Sequence, residues 1–140
     1  KLEILPSLLA ADYGRLSDEI RRAEESGADA LHLDIMDPHF VPNLSFGPDM
    51  VALSRRVAPN FYRNVHLMMS RPDLYLEAFA KAGAQTIQIH VEADCGRGFC
   101  LLSAGTEKTL WQWSSSPHDT LLDGHEHDPQ ILVIPDSNIS

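Results

Sequence analysis

Leu31-His32-Leu33-Asp34-Ile35-Met36-Asp37-Pro38-His39-Phe40-Val41-Pro42-Asn43, followed by Phe46-Gly47-Pro48, is the stretch whose reading decides the fold. Side chains on a strand alternate between its two faces. His32, Asp34 and Met36 therefore share one face, and Leu31, Leu33 and Ile35 take the other. A strand covered on both faces is normally an almost unbroken apolar run, and an unpaired buried carboxylate is costly. The polar pair His32–Asp34 needs a partner. A divalent metal would supply one; the alternative is a simple His–Asp hydrogen bond at a strand end.

Working outward, Leu2 to Ser7 is a short β-type run closed by Pro6, with Ser7 at the strand end. From Gly14 to Ser26 the pattern turns helical, with Leu16, Ile20 and Ala23 in one stripe and Glu19, Arg22 and Glu25 outside it. Gly27 is the natural stop. After the Pro-rich loop, Pro48 starts a helix through Met50, Val51, Leu53 and Val57, ended by Pro59-Asn60. Phe61 to Met69 reads as a strand with His66 and Met68 on one face. Pro72-Asp73 opens a third helix carrying Leu76, Phe79 and Ala80, and Gly83 closes it. Thr86 to Glu92 is a further strand, with Gln88, His90 and Glu92 opposite Ile87, Ile89 and Val91. Repeated βα units with short connections predict a parallel sheet, as a barrel or an open doubly wound sheet.

The periodic order stops near Asp94. Residues 95–140 hold both tryptophans and both cysteines, and Leu121-Leu122 and Ile131 to Ile134 are their main core-like runs. This tail reads as poorly ordered, or as one weak hairpin. Its cluster of His118, Asp123, His125, Glu126, His127 and Asp128 reads more readily as a solvated acidic loop than as a metal site.

With 140 residues, 44% hydrophobic and 22% charged, the sequence predicts one soluble globular domain of modest core. A formal net charge of -9 argues against general affinity for nucleic acid or anionic membrane surfaces. No apolar run is long enough to span a bilayer, and the first residues lack the order of a secretory signal. Cys95 and Cys100 are too few for a disulfide framework and fit a reducing cytoplasm.

Ser7, His32 with Asp34, and His66 all stand at strand ends where apolar residues would be cheaper. If these ends are the carboxyl ends of adjacent parallel strands, the side chains converge on one pocket. Two imidazoles and a carboxylate suit Zn²⁺, Fe²⁺, Mn²⁺ or Co²⁺. A carboxylate touching such an ion suits proton abstraction beside a carbonyl. Met36 and Met68 are either polarizable walls of that pocket or ordinary gap-fillers.

Residues 4–93 resemble the N-terminal half of ribulose-phosphate 3-epimerases, a TIM-barrel family. The resemblance rests on Ile4-Leu5-Pro6-Ser7-Leu8-Leu9-Ala10-Ala11-Asp12, Leu31 to Pro48, Val65-His66-Leu67-Met68, and Ala82-Gly83-Ala84 before the strand ending His90-Val91-Glu92. It implies an α/β fold: a partial TIM (β/α)8 barrel of about four βα units in residues 1–94, followed by a divergent, poorly ordered tail in 95–140. It also implies inversion at C3 of D-ribulose 5-phosphate to D-xylulose 5-phosphate, in the pentose phosphate pathway. By the same resemblance, His32, Asp34 and His66 are metal ligands and Asp34 is catalytic. Ser7, His66, Met36 and Met68 meet the substrate.

Two departures stand out. Pro38 replaces the family's usual Gly, fixing φ and removing a backbone donor. The family's second half should bring a second catalytic aspartate and the phosphate-binding loops, and residues 95–140 do not match it. The tail reads as the product of a shifted reading frame or an alternative exon, and the chain as weakly active or inactive. The expected partner is a small sugar phosphate, with no nucleic acid or membrane, and self-association is expected because half-barrel edges invite pairing. The competing readings are a non-catalytic half-barrel, joining itself or a full-length subunit, and a related hexulose-phosphate 3-epimerase.

Overall fold

The structure, a computed structural model, describes residues 2–90 and 93, together with the backbone of 101–103, 110–112 and 130–134. Three strands form where the sequence alternates: β1 (Leu31–Met36), β2 (Arg63–Met68) and β3 (Thr86–His90). They are parallel and adjacent in chain order. Helices α1 (Leu16–Glu25), α2 (Pro48–Val57) and α3 (Leu76–Ala82) precede them in turn.

Each helix boundary has a local cause. The Asp12 carboxylate accepts from the Gly14 amide at 2.9 Å and starts the 3-10 turn Tyr13–Arg15, which runs into α1. Gly27, at φ +79°, lets the chain leave α1 in a left-handed conformation. Pro48 fills the first turn of α2, where its missing N–H costs nothing. Pro72 opens a 3-10 turn, Pro72–Leu74, so α3 itself begins at Leu76, later than the sequence suggests. Gly83 ends α3 at φ +115°.

Two details depart from the amphipathic reading. Glu19, placed outside the apolar stripe by periodicity, is only 8% exposed; Arg22 donates to its carboxylate at 2.6 Å, and Arg15 lies 3.8 Å away. These guanidinium groups offset the cost of burying the carboxylate. The segment before Ser7 joins the sheet through scattered contacts rather than as a regular strand. The Asp29 amide donates to the Ile4 carbonyl at 2.9 Å and the His32 amide to Pro6 at 3.0 Å, with one parallel bridge, Ser7 to His32. Pro6 has no N–H to return, which interrupts the ladder.

Leu31, Leu33 and Ile35 of β1, Val65 and Leu67 of β2, and Ile87 and Ile89 of β3 face the helices, each no more than 3% exposed. Ile20, Val51, Leu76 and Phe79 cover them from the helical layer. The opposite face of the sheet carries His32, Asp34, Met36, Asn64, His66 and Met68. The core thus lies on one side of the sheet and the polar residues on the other.

In the tail, β4 (Leu101–Ser103) and β5 (Leu110–Gln112) pair antiparallel. Where the sequence reading offers Ile131 to Ile134 merely as core material, β6 (Gln130–Ile134) pairs parallel with β3. An apolar run beside an otherwise open sheet edge gains a full ladder of hydrogen bonds there. The expectation of poor order in the rest of 95–140, and the His118 to Asp128 cluster, lie outside the described residues, as do Val91 and Glu92.

At the amino end of β2, buried Arg63 fastens two connections at once, the one before β2 and the one before β3. Its guanidinium donates to the carbonyls of Gly83 at 2.7 Å and Phe61 at 2.6 Å, with Ala58 at 3.4 Å. An Arg63→Leu change strands those carbonyls in a buried place and is expected to cost about 2–4 kcal/mol. Urea titration by circular dichroism checks this, as a lower midpoint with an unchanged slope.

Candidate metal centre

Register builds the site. Pairing in β1 and β2 sets His32 beside Asn64, Asp34 beside His66 and Met36 beside Met68. Asp34 sits at the centre of the resulting cluster, 15% exposed, with His32 and His66 at 20% and 17%. One carboxylate oxygen, Oδ1, lies 3.1 Å from His32 Nε2 and 3.2 Å from His66 Nδ1. The other accepts a short hydrogen bond from the Ser7 hydroxyl. Ser7 is held there because its oxygen also caps the turn Leu8–Ala10, accepting from the Leu9 amide at 3.3 Å.

Partial burial pushes the Asp34 carboxyl upward, but the bonds from His32, His66 and Ser7 outweigh it and hold the group far below its ordinary value of 3.8. It is a firmly ionised carboxylate. The hydrogen bond to Asp34 raises His32 above the ordinary 6.5 against the opposite pull of burial, with the charge of Asp34 and the bond to Asn64 adding to the rise.

The far nitrogens are engaged too. His32 Nδ1 meets Asn64 Oδ1 at 2.8 Å, and His66 Nε2 meets His90 Nε2 at 2.8 Å. With these atoms occupied, each imidazole turns its other nitrogen to the carboxylate. His32, Asp34 and His66 offer three ligand atoms all within 4.8 Å of one another. Two imidazoles and a carboxylate, their outer nitrogens held, form a donor set that fits a divalent cation.

The loop after β1 is anchored at both ends. The Asp37 carboxylate accepts from the amides of His39 at 3.0 Å, Phe40 at 2.6 Å and, across the loop after β2, Ser70 at 2.8 Å. Burial works to raise the Asp37 carboxyl, yet the Phe40, Ser70 and His39 amides hold it below the usual range. Pro38 is accommodated because Asp37 draws on the amides after it. At the far end the Ser45 hydroxyl donates to the Asp34 carbonyl at 2.6 Å and accepts from the Met36 amide at 3.0 Å. Between the anchors the Phe40 ring lies 5.0 Å from that of His90, and Asn43 Nδ2 lies 3.5 Å from Met36 Sδ.

Every side chain singled out at the strand ends thus lies on this face. Ser7, His32, Asp34 and His66 form one connected cluster, and Met36 and Met68 are neighbours in register. Asn64, His90, Asp37 and Ser45 carry no role in the sequence reading. Alternation alone puts Asn64 on the face of His66, but which residue of β1 it meets depends on register.

A parallel α/β sheet with a His-Asp-His cluster on its polar face defines a class: α/β proteins whose sites lie at the ends of their strands. The comparisons specify the family. The sequence profile of the ribulose-phosphate 3-epimerase family matches residues 3–98. The chain belongs to that family, whose members are isomerases with the TIM-barrel fold. It is 47% identical over 92 residues to the ribulose-phosphate 3-epimerase of Bacillus subtilis, covering 66% of this chain and 42% of that one. The enzyme of the same name from Rhodobacter capsulatus is 48% identical over 92 residues, covering 66% and 40%. That of Synechocystis is 47% identical over 89 residues, covering 64% and 38%. The chain spans about two fifths of the length of these relatives. Among the described residues no helix is long and apolar enough to cross a membrane.

The two shifts fix a pH window. Asp34 is depressed, so its contribution to stability is present above its unfolded value of 3.8 and is lost as pH falls through the lower folded value. His32 is raised, so its contribution is complete below 6.5 and is lost as pH rises through the folded value. In metal-free protein the melting-temperature gap between the chain and Asp34→Asn is therefore expected to be widest between pH 3.8 and 6.5 and to narrow above it. Thermal melts in chelator across that range measure the gap.

Proposed function

We propose that residues 1–94 carry the first half of a ribulose-phosphate 3-epimerase site, which interconverts D-ribulose 5-phosphate and D-xylulose 5-phosphate by moving the proton at C3. The observation that supports this best is the ionised Asp34 carboxylate, gathered with two imidazoles and a hydroxyl on one polar face. In this reading Asp34 takes the C3 proton. A carboxylate bound by three donors is a weak base. Substrate that draws the Ser7 hydroxyl to one of its own oxygens removes one of them and makes Asp34 more basic as the substrate arrives. Met36 and Met68 give the pocket an apolar wall that keeps water from the reacting carbon.

His32, Asp34 and His66 would hold the cation, of the Zn²⁺, Fe²⁺, Mn²⁺ or Co²⁺ class. When bound, it supplies Lewis acidity for the negative charge that develops on the ketose oxygen. Asp34 holds its charge toward that place, and the outer partners of the imidazoles keep their rings from turning away.

Inversion also requires a proton donor on the opposite face of C3. Among the described residues, the cluster contains a single carboxylate. The divergent tail, which we take to be of separate coding origin, offers no match to the family's second half. We read the protein as cytoplasmic, acting on a sugar phosphate, with no nucleic-acid or membrane partner. A second reading, the non-catalytic half-barrel that associates with another copy, is favoured by Leu2 and Ile4. These are 86% and 62% exposed on the segment bordering β1.

Purified chain is expected to retain close to one equivalent of divalent metal, and His32→Ala or His66→Ala to lose most of it. Elemental analysis after gel filtration reads both. Turnover of D-ribulose 5-phosphate by the 140-residue chain is expected at roughly 10²–10⁴-fold below that of a full-length relative, the share that one acid–base group contributes. A coupled assay giving a comparable rate would overturn the single-carboxylate reading.

A further inference from the structure

His66 turns Nδ1 toward Asp34 and Nε2 toward His90. The two Nε2 atoms are 2.8 Å apart, the ring centroids 4.9 Å, and the ring planes differ by 30°. Two nitrogens at that separation need one proton between them: none would oppose two lone pairs, and two would oppose two N–H groups. The tautomer of one ring therefore dictates that of the other. Phe40 packs against His90 with ring centroids 5.0 Å apart, which restricts how His90 can turn.

We propose that His90 is a positioning residue for this cluster. It holds the far nitrogen of His66 in a hydrogen bond, so that Nδ1 is the nitrogen His66 presents beside Asp34. The proposal rests on the metal-centre reading above and adds to it the group that fixes the second imidazole. A pattern supports it. His32 on β1 has its far nitrogen held by Asn64 on β2, and His66 on β2 has its own held by His90 on β3. Each imidazole is steadied from the next strand, but through opposite ring atoms: Nδ1 in His32 and Nε2 in His66. Partners of this kind orient metal-binding histidines and fix their tautomers. Here the second partner is itself an imidazole, able to donate or accept, so it can follow His66 when Nδ1 exchanges its contact with Asp34 for a cation.

The test compares the full chain with His90→Leu, which has no polar atom to offer, and His90→Gln, whose amide can both donate and accept. Long-range ¹⁵N correlation of the histidine rings in metal-free protein reports the tautomer of His66, and competition with a chromophoric chelator reports affinity for Zn²⁺. In the chain, His66 is expected to show one tautomer. In His90→Leu its ring shifts are expected to average between two forms and zinc binding to weaken roughly 10–100-fold. His90→Gln is expected to restore affinity to within about threefold, which separates a positioning role from a general loss of fold. A His90→Leu protein that keeps one His66 tautomer and full zinc affinity overturns the proposal while the metal centre stands. If none of the three proteins takes up zinc, the metal-centre reading fails; the His66 tautomer then decides the proposal alone. It survives if the single form is lost in His90→Leu and kept in His90→Gln, and falls otherwise. Should His90→Leu not fold, His90→Gln with mixed tautomers also overturns it.

Discussion

A negative charge in a place poor in water is the constraint on which the polar face of this sheet depends. Asp34 stands on a strand whose other side is packed against helices, and it stays ionised because three donors converge on its two oxygens. Two of those donors come from distant points in the sequence, the turn after Pro6 and the neighbouring strand; the third, His32, lies two residues away on the same strand. Their convergence requires β1 and β2 to be parallel with Asp34 level with His66. A slip of one residue would turn His66 toward the helices and leave the carboxylate short of a partner. The apolar alternation on the opposite face opposes the same slip, since Val65 and Leu67 would leave the core. One register therefore satisfies packing on one side and electrostatics on the other.

The two ends of the strands divide the work. At the amino end, Arg63 gathers carbonyls from the chain before it and from the close of α3, fixing where β2 and β3 begin. Gly83 assists by taking a positive φ, and a side chain there would press within 2.7 Å of Arg55. At the carboxyl end, Asp37 and Ser45 hold the loop that lies beside the cluster. Stability concentrated at one end leaves the other free to carry groups chosen for chemistry, the usual division in parallel α/β barrels.

Much of this was legible from residue order alone. The alternation in Leu31 to Met36 places His32 and Asp34 together, and Gly27 and Gly83 end helices because only glycine takes their backbone angles easily. What was not legible depends on facts that a single segment does not contain. The Asn64–His32 contact needs the register of two strands, and the place of His90 needs three. Glu19 reads as a surface residue because periodicity sees neither arginine that pairs with it. The β6 ladder is not legible in the sequence because a four-residue apolar run acquires a strand's identity from the edge beside it rather than from its own pattern. Asp37 and Ser45 read as ordinary loop residues until their amide and hydroxyl partners are located in space.

The double anchoring of the loop after β1 carries a consequence for how this protein can vary. Asp37 fixes His39 and Phe40 at one end, and Ser45 fixes the other against the backbone of Asp34 and Met36. Residues 41–44 are slung between two clamps, and Leu44 is 71% exposed. Val41 still reaches the Asp37 carbonyl at 3.4 Å and Asn43 the Met36 sulfur at 3.5 Å, so within the span Leu44 is where change disturbs least. That one position is a natural socket, where a different side chain could bring new recognition above a cluster that stays as it is.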